Sequence, residues 1–149
     1  MADEPIIREF RPVDQEAARA VILAGLEEHW GVLDLTLNSD VDDLAGSYAD
    51  GCVLVAEWGG ELVGTGVLSV EPGGIGRIQR MSVARSARRR GIATSLLRAL
   101  EDEARRRGYP RLVLETTSTW QDAIGFYAAN GYQPVDERDG DTHFVKALG

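Results

Sequence analysis

"ARSARRRGIATSLL", residues 84–97, decides the fold. Arg88, Arg89 and Arg90 stand directly before Gly91, where an apolar pattern of helical period begins: Ala93, Leu96, Leu97, Leu100 and Ala104 fall on one face. Acid-before-base pairs spaced four apart, Glu101–Arg105, Asp102–Arg106 and Glu103–Arg107, reinforce the helix by about 0.2–0.5 kcal/mol each. Gly108 ends it. Arg105 to Arg107 complement the negative end of the helix dipole, so this second arginine triplet reads as a solvated helix terminus. Upstream, "RIQRMSV" (77–83) reads as a strand in which Ile78, Arg80 and Ser82 alternate with Gln79, Met81 and Val83. Downstream, "RLVLET" (111–116) is a second strand, and strand, helix, strand with short joints is a right-handed crossover into a parallel pair.

The first N–H groups of a helix lack internal partners, and the macrodipole places about half a positive charge there. The helix start at Gly91 is therefore an anion site. Glycine lets a backbone come close, Ala93 keeps side-chain bulk away, and Arg88 to Arg90 add charge where a diphosphate would sit. On charge alone, three solvated loop arginines is the competing reading.

Outward from this junction, "CVLVAEW" and "ELVGTGVLSV" form a hairpin across Gly59–Gly60, which supply the positive φ of a tight turn. "IIREF" is a short strand. Ala18, Val21, Ile22, Gly25 and Leu26 make one stripe of a helix from about Asp14 to Glu28, and "SDVDDLAGSY" predicts a second, short helix capped by Ser39 or Asp40. Thr119 and Asp122 resemble a capping box opening "WQDAIGFYAAN", which Gly131 closes. "YQPVDE" and "THFVKAL" make a final hairpin across "RDGD".

Composition narrows the function classes. A chain of 149 residues without repeats or linkers fits one domain, 1–149. Its net charge of −8 argues against a general nucleic-acid partner, which needs a basic face. No apolar run approaches the ~20 residues of a membrane span. "MADEPIIREF" lacks the basic and apolar regions of a secretory signal, so a cytoplasmic location and no membrane partner are expected. Cys52, the one cysteine, lies in an apolar run and reads as a buried core thiol; with His29 and His143 the only imidazoles, no metal-ligand spacing is present. Lys146 is the only lysine, which reads as coding bias.

Two motifs carry a resemblance. Arg88-Arg89-Arg90-Gly91-Ile92-Ala93 matches Q/R-x-x-G-x-G/A, and "AIGFYAANGY" (123–132) is similar to A-x-x-[FL]-Y-x-x-x-G-[FY]. Together, at this separation and on these elements, they resemble the GCN5-related N-acetyltransferase (GNAT) family over nearly the whole chain, Ile6 to Leu148. The resemblance implies an α/β fold: a mixed, largely antiparallel central sheet of about six to seven strands with a splayed parallel pair, flanked by about four helices. It implies acetyl-CoA as co-substrate and no metal. The pantetheine arm would pair with the strand end at Met81, Ser82 and Val83. The diphosphate would rest on the N–H groups from Arg89 through Arg90, Gly91, Ile92 and Ala93 to about Thr94, with Arg88 at the first signature position.

The implied reaction is transfer of acetyl to a primary amine by direct attack. The acceptor is a small amine, an amino-acid-like molecule or a protein or peptide amine, and the protein a monomer or homodimer. An alkyl amine with pKa near ~10.4 is almost wholly protonated at neutral pH, so a base is needed, and the departing thiolate needs a proton. Tyr127 stands at the family's general-acid position; a core aromatic is the competing reading. The family's strand-four glutamate is replaced here by Arg77, which leaves Glu115 as the best candidate base, against a solvated strand-end glutamate or a relay of waters. Trp120 occupies a position where relatives often contact pantetheine through Asn or Gln, and an indole offers one donor. Glu28, His29 and Glu71 lie in segments that border an acceptor cleft. His143 falls in the last hairpin, near which the family's acceptor loops often sit; a half-exposed strand histidine is its competing reading. A coenzyme-binding sensor or scaffold without turnover is the alternative function. Nucleic-acid contact through Arg85 to Arg90 ranks last.

Overall fold

Among the described residues seven strands form one sheet: β1 (Ile6–Glu9), β2 (Cys52–Trp58), β3 (Glu61–Glu71), β4 (Ile75–Val83), β5 (Arg111–Thr117), β6 (Gln133–Arg138) and β7 (Asp141–Ala147). The computed structural model describes residues 4–30 and 35–149, the side chains of 29, 30 and 35–37 excepted. The strands are ordered β1-β2-β3-β4-β5-β7-β6, and among the described residues β4 with β5 is the only parallel pair. Among the described residues four α-helices flank the sheet: α1 (Gln15–Trp30), α2 (Leu44–Ser47), α3 (Ile92–Arg106) and α4 (Gln121–Ala129). The crossover read from sequence is thus β4-α3-β5.

Alternation sorts the sheet into two faces. On β5, Leu112, Leu114 and Thr116 are buried while Glu115 is exposed. Leu112 and Leu114 join Ile92, Leu96, Leu97, Leu100 and Ala104 of α3, Tyr127 of α4 and Phe144 of β7 in the larger apolar cluster. Full burial of each large aliphatic side chain there is worth about 1.5–3 kcal/mol, which outweighs any surface ion pair on the same helix. α1 and α2 form a separate cluster through Ala18, Ile22, Val41 and Leu44. Cys52 is buried, and burial pushes its thiol above the ordinary range.

Tertiary context changes several local expectations. Glu101 does not pair with Arg105: it lies on the buried face of α3, accepting from Tyr132 Oη at 2.8 Å and Lys146 Nζ at 3.0 Å. Asp102 meets Arg105 instead of Arg106, and Glu103 bridges Arg106 and Arg107. Arg107 also donates to the carbonyls of Asp50 and Gly51, so the second arginine triplet is partly tied down. No side-chain capping box opens α4; Trp120 is its cap, and the turn satisfies the Trp120 and Gln121 N–H groups through the carbonyls of Thr117 and Thr119. α2 is capped by Asp43, which accepts from Gly46 N, while Leu35–Asp42 winds as 3-10 turns.

Strict alternation also fails in β4. Arg80 and Met81 together oppose Gly66, between the pairs Val67↔Gln79 and Thr65↔Ser82. This β-bulge puts Ile78, Met81 and Val83 against the α3 cluster and turns Arg80 and Ser82 to the α1 side. Hydrophobic period alone cannot register one inserted residue.

Candidate active site

The parallel pair is held over two positions only, Gly76↔Leu112 and Arg77↔Val113. Beyond Arg77, β4 stays on β3 through Val83, while β5 follows β7 through Thr117↔Asp141. The strands therefore splay into a cleft walled by residues 78–83 and 114–117. Twist accumulated at a parallel junction with no further ladder bonds opens such a gap.

At the cleft's open end, β4 runs through a short turn (Arg85–Ala87) into α3. Gly91 caps α3 with φ 76°, and a Cβ placed there would meet nothing within 4 Å. Arg89 also has positive φ, 66°. Alternating backbone hands of this kind make a concave nest of N–H groups. No side chain caps the helix, and the N–H groups from Arg89 to Thr94 donate to no described residue. The first bond of the helix is Ser95 N to Gly91 O at 3.0 Å. Ile92 is buried, so it offers only its backbone, whereas Ala93 and Thr94 are half-buried. These are the groups a diphosphate requires: open space, converging amides and a positive helix end.

The three arginines take different duties. Arg88 grips Glu28 at the end of α1 with two bonds of 2.6 and 2.7 Å, and donates Nε to the Val83 carbonyl at 3.2 Å. Arg90 lies 3.9 Å over the Trp58 ring. Arg89 remains exposed. Bonding from Arg88, then from Arg85, holds the Glu28 carboxyl down to about 2 against burial, from an ordinary 4.5. A carboxylate depressed in the folded state contributes stability that is full above its unfolded value and lost as pH falls through its folded one. The gap in thermal midpoint between wild type and Glu28→Gln is therefore expected to close as pH falls from 4.5 towards 2. A pH-independent gap would show that the latch contributes nothing by charge.

Tyr127 is 9% exposed, its ring packed edge-on against Phe126 and Tyr132 and tilted on Phe144. Burial alone pushes the phenol above its ordinary range, so it holds its proton at neutral pH. Its hydroxyl has no hydrogen-bond partner among the described residues. No fully enclosed side-chain oxygen or nitrogen among them lacks a partner, so solvent reaches the hydroxyl. Met81 and Val83 of β4, Leu114 of β5 and Ala123 and Ile124 of α4 belong to the same cluster.

On the opposite face, at the foot of the splay, lies a cavity of about 270 Å³. Its walls include Ile75, Val113, Val135 and Val145, and its charge comes from Glu71, Arg77, Glu115, Arg138 and His143. Arg77 bridges Glu71 at 2.9 Å and Glu115, and bonding from Glu71 raises the guanidinium above its ordinary range while depressing the Glu71 carboxyl. His143 faces Glu115 across the β5–β7 ladder, with Nδ1 to Oε2 at 4.0 Å. Trp120 is half-buried at the start of α4. The His29 side chain lies outside the described residues. Among the described residues no three His, Cys, Asp or Glu side chains cluster as a metal ion requires. No helix there is long and apolar enough to cross a membrane.

The sequence profile of the acetyltransferase (GNAT) family matches residues 16–132. The chain belongs to the GNAT family. It is 38% identical over 109 residues to N-acetyltransferase 8F1 of Rattus norvegicus, covering 68% of this chain and 49% of that protein. This GNAT chain spans about half the length of the curated relatives it matches. In fold it is similar to a GNAT-family acetyltransferase of Staphylococcus aureus Mu50, with a TM-score of 0.89 and 18% identity over 98% of this chain and 100% of that one. It is also similar to the PaiA N-acetyltransferase of Thermoplasma acidophilum, solved in complex with coenzyme A. There the TM-score is 0.83 at 16% identity over 97% of this chain and 99% of that one.

The helix start of this GNAT chain is legible in its sequence, and the groups that fix its surroundings are not. Arg80, Asp40 and Tyr48 form one bonded cluster: Arg80 Nη2 meets Asp40 Oδ1 at 2.6 Å and Tyr48 Oη donates to Asp40 Oδ2 at 2.5 Å. Nothing in the local pattern joins positions 40 apart. The signal available was a second arginine in the strand, placed where the alternation with Ile78 called for an apolar residue.

Proposed function

We propose that the protein is an N-acetyltransferase that moves the acetyl group of acetyl-CoA to a primary amine. The run of backbone N–H groups from Arg89 to Thr94, unmet by protein acceptors and opening α3 beside the splay, carries this reading. Those amides and Arg89 bind the diphosphate, and the β4 backbone at Met81, Ser82 and Val83 lines the pantetheine. Arg88 orders the loop through Val83 and Glu28, Arg90 through Trp58, and Trp120 packs at the cleft's α4 side. Acetyl-CoA supplies an acetyl carbonyl activated as a thioester.

The charged cavity receives the acceptor, a small amine, an amino-acid-like molecule or a protein amine. Glu115 draws the ammonium to the cavity, where it loses one proton to solvent; the neutral amine attacks the thioester carbon, and Glu115 takes the second proton from the adduct nitrogen, which C–N bond formation has made strongly acidic. Tyr127 gives its proton to the departing sulfur as the C–S bond breaks. Arg77 keeps Glu115 oriented but also neutralises it, and this favours the second reading, coenzyme binding without turnover.

Two measurements decide. Coenzyme A is expected to raise the thermal midpoint, and thiol release from acetyl-CoA is expected with members of a panel of amines, amino acids and short peptides. Protection without thiol release selects the second reading; neither effect overturns both. With a working acceptor, Glu115→Gln is expected to lower kcat/KM for the amine by roughly 10²-fold. Unchanged kcat/KM would remove Glu115 from the mechanism.

A further inference from the structure

The structure assigns Arg80 as a positioning residue whose bidentate grip on Asp40 holds the β4 bulge in the backbone conformation that the transfer reaction uses. This rests on the reading that acetyl-CoA occupies the splay. Arg80 has φ 53°, a left-handed conformation that side chains other than glycine, asparagine and aspartate adopt with difficulty. Such strain persists only where its surroundings over-determine it.

Here they do. The guanidinium meets Asp40 through Nε at 2.9 Å and Nη2 at 2.6 Å, both partners being largely shielded, at 19% and 27% side-chain exposure. Asp40 is itself held by Tyr48 Oη, and Thr65 Oγ1 donates to the Arg80 carbonyl at 2.8 Å. Burial works against the Asp40 charge, yet the guanidinium and phenol keep the carboxyl below its ordinary range. The next residue is locked the other way. A Cβ at Gly66 would stand 2.8 Å from Met81 Sδ and 2.9 Å from Leu100 Cδ1, so the glycine leaves room for Met81 to fold over β3 on the α3 face, and a side chain there would displace both.

Position gives this clamp its consequence. The bulge lies three residues past Arg77↔Val113, the last bond between β4 and β5, so its outer edge borders the cleft and not a neighbouring strand. A bulge leaves one residue outside the ladder and re-aims the backbone around it. Arg80 fixes that aim from the acceptor face, through a residue of the segment that precedes α2, without itself touching the coenzyme.

The test separates backbone from side chain in the 149-residue chain. Arg80→Ala removes the clamp and disfavours positive φ; kcat is expected to fall roughly tenfold or more, with KM for acetyl-CoA nearly unchanged. Arg80→Gly removes the same clamp but adopts positive φ readily, and is expected to lose only about threefold. Should the alanine variant not fold, Arg80→Asn is compared with wild type, and it is expected to track glycine because asparagine tolerates the left-handed region. Equal loss in the glycine and alanine variants, loss of activity in a folded asparagine variant, or wild-type kcat in alanine would each overturn the assignment. Should wild type bind coenzyme A without turnover, the amide shifts of Met81 and Ser82 on adding coenzyme A serve as readout. They are expected to match wild type in the glycine variant and to differ from it in the alanine one, and alanine shifts that match wild type would overturn it. Failure of wild type to bind coenzyme A at all would instead sink the transfer reading on which the assignment rests.

Discussion

Replacing Tyr127 by phenylalanine is expected to lower kcat by roughly 10²-fold or more while leaving the affinity for coenzyme A and the thermal midpoint nearly unchanged. The environment makes this substitution clean. The ring is packed among Phe126, Tyr132 and Phe144, so phenylalanine preserves the contacts, and the hydroxyl has no bond to a described residue that its removal would break. A phenol pushed upward by burial keeps its proton at neutral pH, which is the state the proposed general acid needs. Steady-state thiol release measured against the best acceptor checks the first part and calorimetry with coenzyme A the second. Full turnover in the variant would reduce Tyr127 to a packing residue.

Gly91→Ala is expected to raise the dissociation constant for coenzyme A by roughly 10–10²-fold, because two costs coincide. At φ 76° alanine pays about 1–2 kcal/mol of backbone strain. Its methyl would also occupy space, empty to 4 Å, beside the first turn of α3. Gly125, in α4 with nothing near its Cβ direction and no positive φ, is the matched comparison. Gly125→Ala is expected to leave coenzyme binding unaltered and to stabilise the helix by up to about 1 kcal/mol. Calorimetric titration of both variants distinguishes them, and equal affinities would place the diphosphate away from this helix start.

The arginine knot poses a question of charge, and the fold answers it residue by residue. Arg88 is neutralised by Glu28 and Arg90 is stacked on Trp58, so in the proposed diphosphate site backbone amides carry more of the binding than guanidinium groups do. The same holds at the charged cavity. Arg77 replaces an expected carboxylate, yet it gathers Glu71 and Glu115 around itself, so the cavity keeps its acidic groups in a different arrangement.

By itself the sequence determined what is local or periodic. The α3 stripe, the hairpin at Gly59–Gly60, the β4-α3-β5 crossover and the helix start at Gly91 all follow from spacing within one element or between neighbours, because period and turn chemistry act over a few residues. Tertiary structure alone decided the β4 bulge, the burial of Glu101 against Lys146, and the pairing of Arg80 with Asp40 and of Arg88 with Glu28. Each depends on which distant segment arrives beside the residue, and a charged side chain accepts any partner of opposite sign that the packed core brings within reach.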